Sequence, residues 1–213
     1  LNPFLYKKLA YAPLEDFAPI SLTLRGALVL VVSPSLGVNS LPELLAYVKA
    51  RPGKLQYGSA GNGTPHHLAM EALKLKAGLD ILHVPYKSNP NAITDLLGGQ
   101  IDFMITDTST GVPQVKGGKL KALGVSTTQR NPLLPEVPTI AEAGVKGYDM
   151  GYWFAAYAPT GTPPAVLARL NELLAAATKG ADAKGFFDGS GSVAWTTTPD
   201  ELAKFQAAED EKS

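Results

Sequence analysis

The run Tyr57-Gly58-Ser59-Ala60-Gly61-Asn62-Gly63-Thr64-Pro65 sets three glycines and the polar side chains of Ser59, Asn62 and Thr64 between a strand-like stretch and a helix start. Glycines let the backbone come close to a ligand, and a helix N-terminus adds orphan N–H groups and the positive end of a dipole. The combination suits an anion, although a loop of this kind also serves as a plain tight turn. Its spacing excludes other chemistries. Tyr57 stands where G-x-S-x-G needs its first glycine, which disfavours a hydrolase nucleophile elbow. No Lys-Ser or Lys-Thr follows at the spacing of a phosphate-binding P-loop, and Gly58, Gly61 and Gly63 do not fit G-x-G-x-x-G.

The histidines are His66, His67 and His83. Neighbouring side chains on a helix diverge by about 100°, so His66 and His67 do not face one metal, and Glu71 with His67 makes a pair rather than a centre. Without cysteine there is no disulfide, zinc ribbon, iron–sulfur cluster or thiol nucleophile. Neither a metal nor a cofactor is expected. One histidine is placed near the glycine loop, one in solvent, and His83 in or beside a strand.

A second polar group closes the apolar run from Ile101 to Ile105: Thr106, Asp107, Thr108 and Ser109. In open α/β sheets ligands bind beyond the carboxyl ends of strands, where this turn falls. Asp107 suits a helix N-cap or a ligand contact, and the two roles are compatible. Tyr86-Lys87-Ser88 is either a third wall or a surface turn, and Trp153 and Phe154 read as core or hinge packing. The arginines are Arg25, Arg51, Arg130 and Arg169, and none sits in these loops, so an anion would be held by backbone N–H groups.

The elements that position these groups follow a βαβα rhythm from residue 27 onward. Strands are predicted at 28–33, 55–58, 81–84, 101–105 and 120–125. Helices between them start at Ser40 with Glu43 in a capping box, at Thr64-Pro65, at Asn89-Pro90 and after Asp107. Five strands suffice for a parallel or mixed sheet covered on both faces. Beyond 126 the rhythm breaks into a proline-rich connection, a short helix capped by Thr139 and Glu142, a strand at 153–158, an amphipathic helix from Thr162, a strand at 191–196 and a helix capped by Thr198 and Glu201. The fold class is therefore α/β. One complete lobe is expected over 25–125, with 1–24 and 126–213 as part of a second, incomplete one.

Composition narrows the partners. The 19 basic and 19 acidic residues cancel, which offers no field for a nucleic-acid backbone. No stretch approaches the roughly 20 apolar residues of a membrane span. Residues 1–8 contain no initiator Met and no basic segment leading into an apolar one, and they read as a chain that starts midway.

In this order and spacing the chain resembles the tripartite tricarboxylate transporter receptor family, the periplasmic solute-binding proteins also called Bug receptors. The resemblance rests on Asn2-Pro3 with Leu5-Tyr6, Asp16-Phe17-Ala18-Pro19-Ile20, Pro52-Gly53-Lys54-Leu55 running into the Tyr57 loop, His67-Leu68-Ala69, and His83-Val84-Pro85-Tyr86-Lys87. It continues through Asp95-Leu96-Leu97-Gly98-Gly99-Gln100-Ile101-Asp102, Gly118-Lys119-Leu120-Lys121-Ala122-Leu123, Leu134-Pro135-Glu136-Val137-Pro138-Thr139 and Ala158-Pro159-Thr160-Gly161-Thr162-Pro163. It implies a fold like that of type II periplasmic binding proteins, two α/β lobes joined by a hinge that close on a small carboxylate and pass it to the transporter's membrane subunits. The implied contacts are Gly58, Ser59, Gly61, Asn62, Gly63, Thr64 and His67 on the first loop, Tyr86 beside it, and Thr106, Asp107 and Ser109 at the far end of the solute. Family members often have Asp where this chain has Thr106 and Asn where it has Asp107.

By the same resemblance a signal peptide and a first strand would precede Leu1, leaving the first lobe incomplete. An open sheet edge then predicts pairing with another chain, a disordered edge or poor stability. Two other functions compete with the receptor: a ligand-sensing effector domain of a transcription regulator, and an α/β transferase or hydrolase working through Ser59.

Overall fold

The computed structural model describes residues 7–210, so residues 1–6 of the proposed first lobe lie outside it. The chain divides into two compact units, one of Gly26–Tyr152 and one of residues 1–25 with 153–213. Among the described residues no helix is long and apolar enough to cross a membrane.

The Gly26–Tyr152 unit is built on a mixed sheet. Its strands are the second part of β1 (Phe17–Val32), β2 (Gln56–Ser59), β3 (Leu82–Pro85), β4 (Phe103–Asp107) and β5 (Lys121–Val125), in the order β3-β2-β4-β1-β5. β2 runs parallel to β3 and β4, whereas β1 is antiparallel to β4 and β5. Four helices connect them: α1 (Leu41–Lys49), α2 (Pro65–Ala77), α3 (Asn89–Leu97) and α4 (Thr108–Lys116). The run from Leu28 to Val32 is fully buried because strand side chains alternate between two covered faces. Leu28, Leu30 and Val32 enter one core with Tyr57, Met70 and Phe103, and Val29 and Val31 enter the other with Leu96, Met104 and Val112. Each fully buried aliphatic side chain contributes about 1.5–3 kcal/mol.

Residues 126–152 belong to this unit rather than to the other lobe. Ile140, Val145 and Tyr148 fill one core and Leu134 and Val137 the other, so the five predicted strands alone leave both faces short of apolar cover. The helix expected from Thr139 is a single turn. Its capping box forms, with Thr139 N–H donating to Glu142 Oε2 at 2.8 Å and Glu142 N–H to Thr139 Oγ1 at 3.0 Å, but Gly144 at φ 114 ends it at once.

The other unit pairs the first part of β1 with β6 (Gly151–Pro159) and β7 (Ser192–Ala194), and carries α5 (Pro164–Ala177), α6 (Ala181–Ser190) and α7 (Pro199–Asp210). β1 starts eleven residues earlier than the predicted Leu28, at Phe17. α6 is not predicted, because Gly185 and Gly189 break its pattern. Trp153 packs edge-on against Phe205 at 5.2 Å, a core role, whereas Phe154 is exposed.

Candidate functional site

The parallel pairing of β2 with β4 sets the carboxyl ends of these strands side by side, with Gly58 opposite Met104. β2 ends at Ser59, and the chain turns through Ala60–Gly63 into Thr64, the N-cap of α2, with Pro65 at its first position. Gly61 is needed twice over: its φ is 122, and a Cβ there would lie 3.3 Å from the Tyr86 carbonyl oxygen. Gly58 is close-packed, since a Cβ would meet Ile101 Cδ1 at 2.4 Å.

The turn is braced from within. Ser59 is fully buried, and its Oγ accepts from Gly61 N–H at 3.1 Å and lies 2.7 Å from His83 Nε2. Thr64 Oγ1 donates to the Gly61 carbonyl at 2.7 Å, and Gly63 N–H donates to His67 Nδ1 at 3.2 Å. Gly61 and Gly63 therefore have their N–H groups engaged already. The donors left over are the N–H groups of Ala60 and Asn62, the exposed Asn62 amide, and the first-turn N–H groups of His66 and His67, because the helical ladder begins with Leu68 N–H to the Thr64 carbonyl.

His83 stacks between Tyr57, 4.7 Å away, and His67, 4.3 Å away. Burial, with the neighbouring His67 charge next, pushes its imidazole down to about 4. Tyr57 OH donates to Glu71 Oε1, which also accepts from Lys74 Nζ at 2.7 Å. Burial opposes ionisation of Glu71, yet the hydrogen bonds from Lys74 and Tyr57 hold its pKa below the usual carboxylate value. Burial first, and then Glu71, raise the Tyr57 phenol. The Ser59–His83 pair has the spacing of a nucleophile and its base, but the hydroxyl is fully buried and desolvation makes the imidazole a weak base. The pair braces the loop.

The second group sits at the end of β4. Thr106 is fully buried and exchanges hydrogen bonds with the Asn89 amide at 2.9 and 3.1 Å. Asn89 Nδ2 also donates to Asp107 Oδ2 at 2.9 Å. Asp107 occupies the N-cap position of α4 without capping it through its side chain, which turns to Asn89 and to His66 instead. His66 Nε2 lies 3.2 Å from Asp107 Oδ1, but off the direction that a hydrogen bond requires, so both nitrogens of this buried ring are unsatisfied. Ser109 is exposed in the first turn of α4.

Tyr86 holds its hydroxyl on Asp95 Oδ2 at 2.8 Å. Burial, and then the Asp95 hydrogen bond, push its phenol up to about 12. Tyr86 thus backs the glycine turn with its carbonyl and ring rather than presenting its O–H. His66 and Asn89 are the site residues that sequence reasoning missed. The Asn89-Pro90 helix start was legible, but nothing local marked the Asn89 side chain as the link between the ends of β4 and α3. Among the described residues no group of three His, Cys, Asp or Glu is placed to hold a metal.

The sequence profile of the "Tripartite tricarboxylate transporter family receptor" matches residues 1–213. The chain is 34% identical over 205 residues to protein BugT of Bordetella pertussis, which covers 96% of this chain and 63% of BugT. It spans 51–63% of the length of the first three curated relatives it matches. Among solved structures it is similar to a Rhodopseudomonas palustris protein bound to adipate, with TM-score 0.90, 33% identity, and 97% of this chain and 70% of that one covered. It is likewise similar to the periplasmic binding protein BugD, with TM-score 0.89, 33% identity, and 95% and 68% covered. The mixed α/β fold is that of these binding proteins.

Proposed function

Because this chain belongs to the tripartite tricarboxylate transporter receptor family, we propose that it forms part of a periplasmic receptor that captures a small carboxylate and delivers it to the membrane subunits of a transporter. The observation that carries this reading is the set of unengaged N–H groups at Ala60, Asn62, His66 and His67, on a turn that Ser59, Thr64, His67 and His83 hold in place. Such donors meet a carboxylate with charge-assisted hydrogen bonds and need no side-chain cation.

In this reading Ser59, Gly61, Gly63 and Thr64 shape the cradle, Gly58 and Tyr86 pack beneath it, and Asp107 and Ser109 face the far end of the solute, with Thr106 bracing Asp107 through Asn89. The Gly26–Tyr152 unit is one lobe, residues 1–25 and 153–213 belong to the other, and closure on the solute stabilises the closed state by the difference in affinity between the two states. No step requires proton transfer, and the protein acts by binding.

Differential scanning fluorimetry of the complete gene product against mono-, di- and tricarboxylates and amino acids tests the proposal. A solute at 100 times its dissociation constant stabilises by about 2.7 kcal/mol, a readily resolved rise in melting temperature. No shift with any acid would remove the receptor reading.

A further inference from the structure

We infer that the solute carries a hydrogen-bond-donating cationic group, such as an ammonium, at some distance from its carboxylate, and that Asp107 is the residue that selects it. The inference rests on the receptor reading and names the solute class.

The two ends of the site have opposite polarity. The N–H groups of Ala60, Asn62, His66 and His67 are donors, whereas the Asp107 carboxylate offers only acceptors. Its Oδ2 is fixed by Asn89 Nδ2 at 2.9 Å and its Oδ1 faces His66 Nε2 at 3.2 Å, yet its side chain keeps 29% exposure. Asn89 is in turn locked by the fully buried Thr106, so the carboxylate is held in place rather than swinging freely in solvent. Among the described residues no lysine or arginine pairs with Asp107. The groups that face it are His66 and the Tyr152 phenol, whose proton is retained by burial first and by the charge of Asp107 second.

The His66 ring adds a second observation at the same carboxylate. Its side chain is 91% buried, the complement of 9% exposure, and neither nitrogen has a hydrogen-bond partner among the described residues. A buried imidazole left wholly unsatisfied is costly and rare in a finished site. Its nearest polar neighbour is Asp107, and a small rotation that completes an Nε2–H to Oδ1 bond fixes the second carboxylate oxygen too. Among the described residues the groups that face Asp107 are Asn89, His66 and the Tyr152 phenol, none of them a lysine or arginine, and the partly exposed carboxylate suits a cationic donor. A dicarboxylate such as the adipate of the R. palustris neighbour would bring a second negative charge against Asp107, whereas an ammonium would complete it.

The test is isothermal titration of the complete gene product with sets of acids matched in length over two to six carbons: the plain monocarboxylate, the α- or ω-amino acid and the dicarboxylate. The inference expects the best amino acid to bind at least 10-fold tighter than its monocarboxylate and its dicarboxylate. Asp107→Asn is expected to lower that affinity about 10- to 100-fold and to improve dicarboxylate binding, with the carboxylate end undisturbed. If dicarboxylates bind wild type best, or a folded Asp107→Asn protein keeps the wild-type order, the inference falls and the receptor reading stands. If no acid of any class binds, the receptor reading falls with it. Should Asp107→Asn fail to fold, the wild-type ranking still decides between the classes.

Discussion

His83 ties stability of the Gly26–Tyr152 unit to pH in a way that one substitution isolates. The free imidazole titrates near 6.5, and in the folded protein burial and the adjacent His67 push it down to about 4. The unfolded chain therefore binds more protons between these values, and acidification favours unfolding. The contribution of His83 is complete above pH 6.5, is lost progressively as pH falls to 4, and changes no further below. A gap of about 2.5 units at 1.36 kcal/mol each gives an upper bound of roughly 3.4 kcal/mol. The ring is only partly buried, so solvent screening leaves about half, roughly 1.5–2 kcal/mol. The assay must report on the correct unit. Both tryptophans, Trp153 and Trp195, lie in the other one, so amide hydrogen exchange of β2 between pH 7 and 4.5, corrected for intrinsic rates, is the measurement. His83→Gln preserves a polar atom near Ser59 Oγ and cannot take up a proton. Its β2 protection should fall by about 1–2 kcal/mol less than that of wild type over this range. Equal losses in the two proteins would refute the account of His83 as a desolvated base.

Two further outcomes follow from packing. A Cβ at Gly111 would lie 2.8 Å from both Thr106 Cγ2 and Val29 Cγ1, and both neighbours are fully buried, so Gly111→Ala should destabilise by about 1–2 kcal/mol in urea unfolding despite alanine's better helix propensity, and should weaken solute binding through Thr106 and Asn89. Tyr148 OH donates to the Ala69 carbonyl at 2.7 Å inside the core, and Tyr148→Phe should lower the urea midpoint by the equivalent of about 1 kcal/mol with an unchanged m-value.

The alternation of Leu28 to Val32, the helix starts at Ser40, Thr64 and Thr198, and the glycines that close the helices are local signals, and the structure follows them because a strand's two faces and a helix's first turn are decided within a few residues. The glycine turn is legible for the same reason: φ 122 at Gly61 excludes other side chains and φ 75 at Gly63 favours glycine. Other features depend on partners distant in sequence. That 126–152 completes both cores of the first sheet follows from where Tyr148 and Val137 find apolar neighbours, and no pattern within that segment specifies this. The same holds inside the site. Sequence identified Ser59 and Asp107 as chemically able residues, but only the tertiary structure engaged the N–H groups of Gly61 and Gly63 internally, turned Tyr86 onto Asp95, and brought His66 and Asn89 onto Asp107. A sequence records which groups can donate, accept or ionise. Which of them remain unsatisfied, and so available to a ligand, depends on what the fold places within about 3 Å of each.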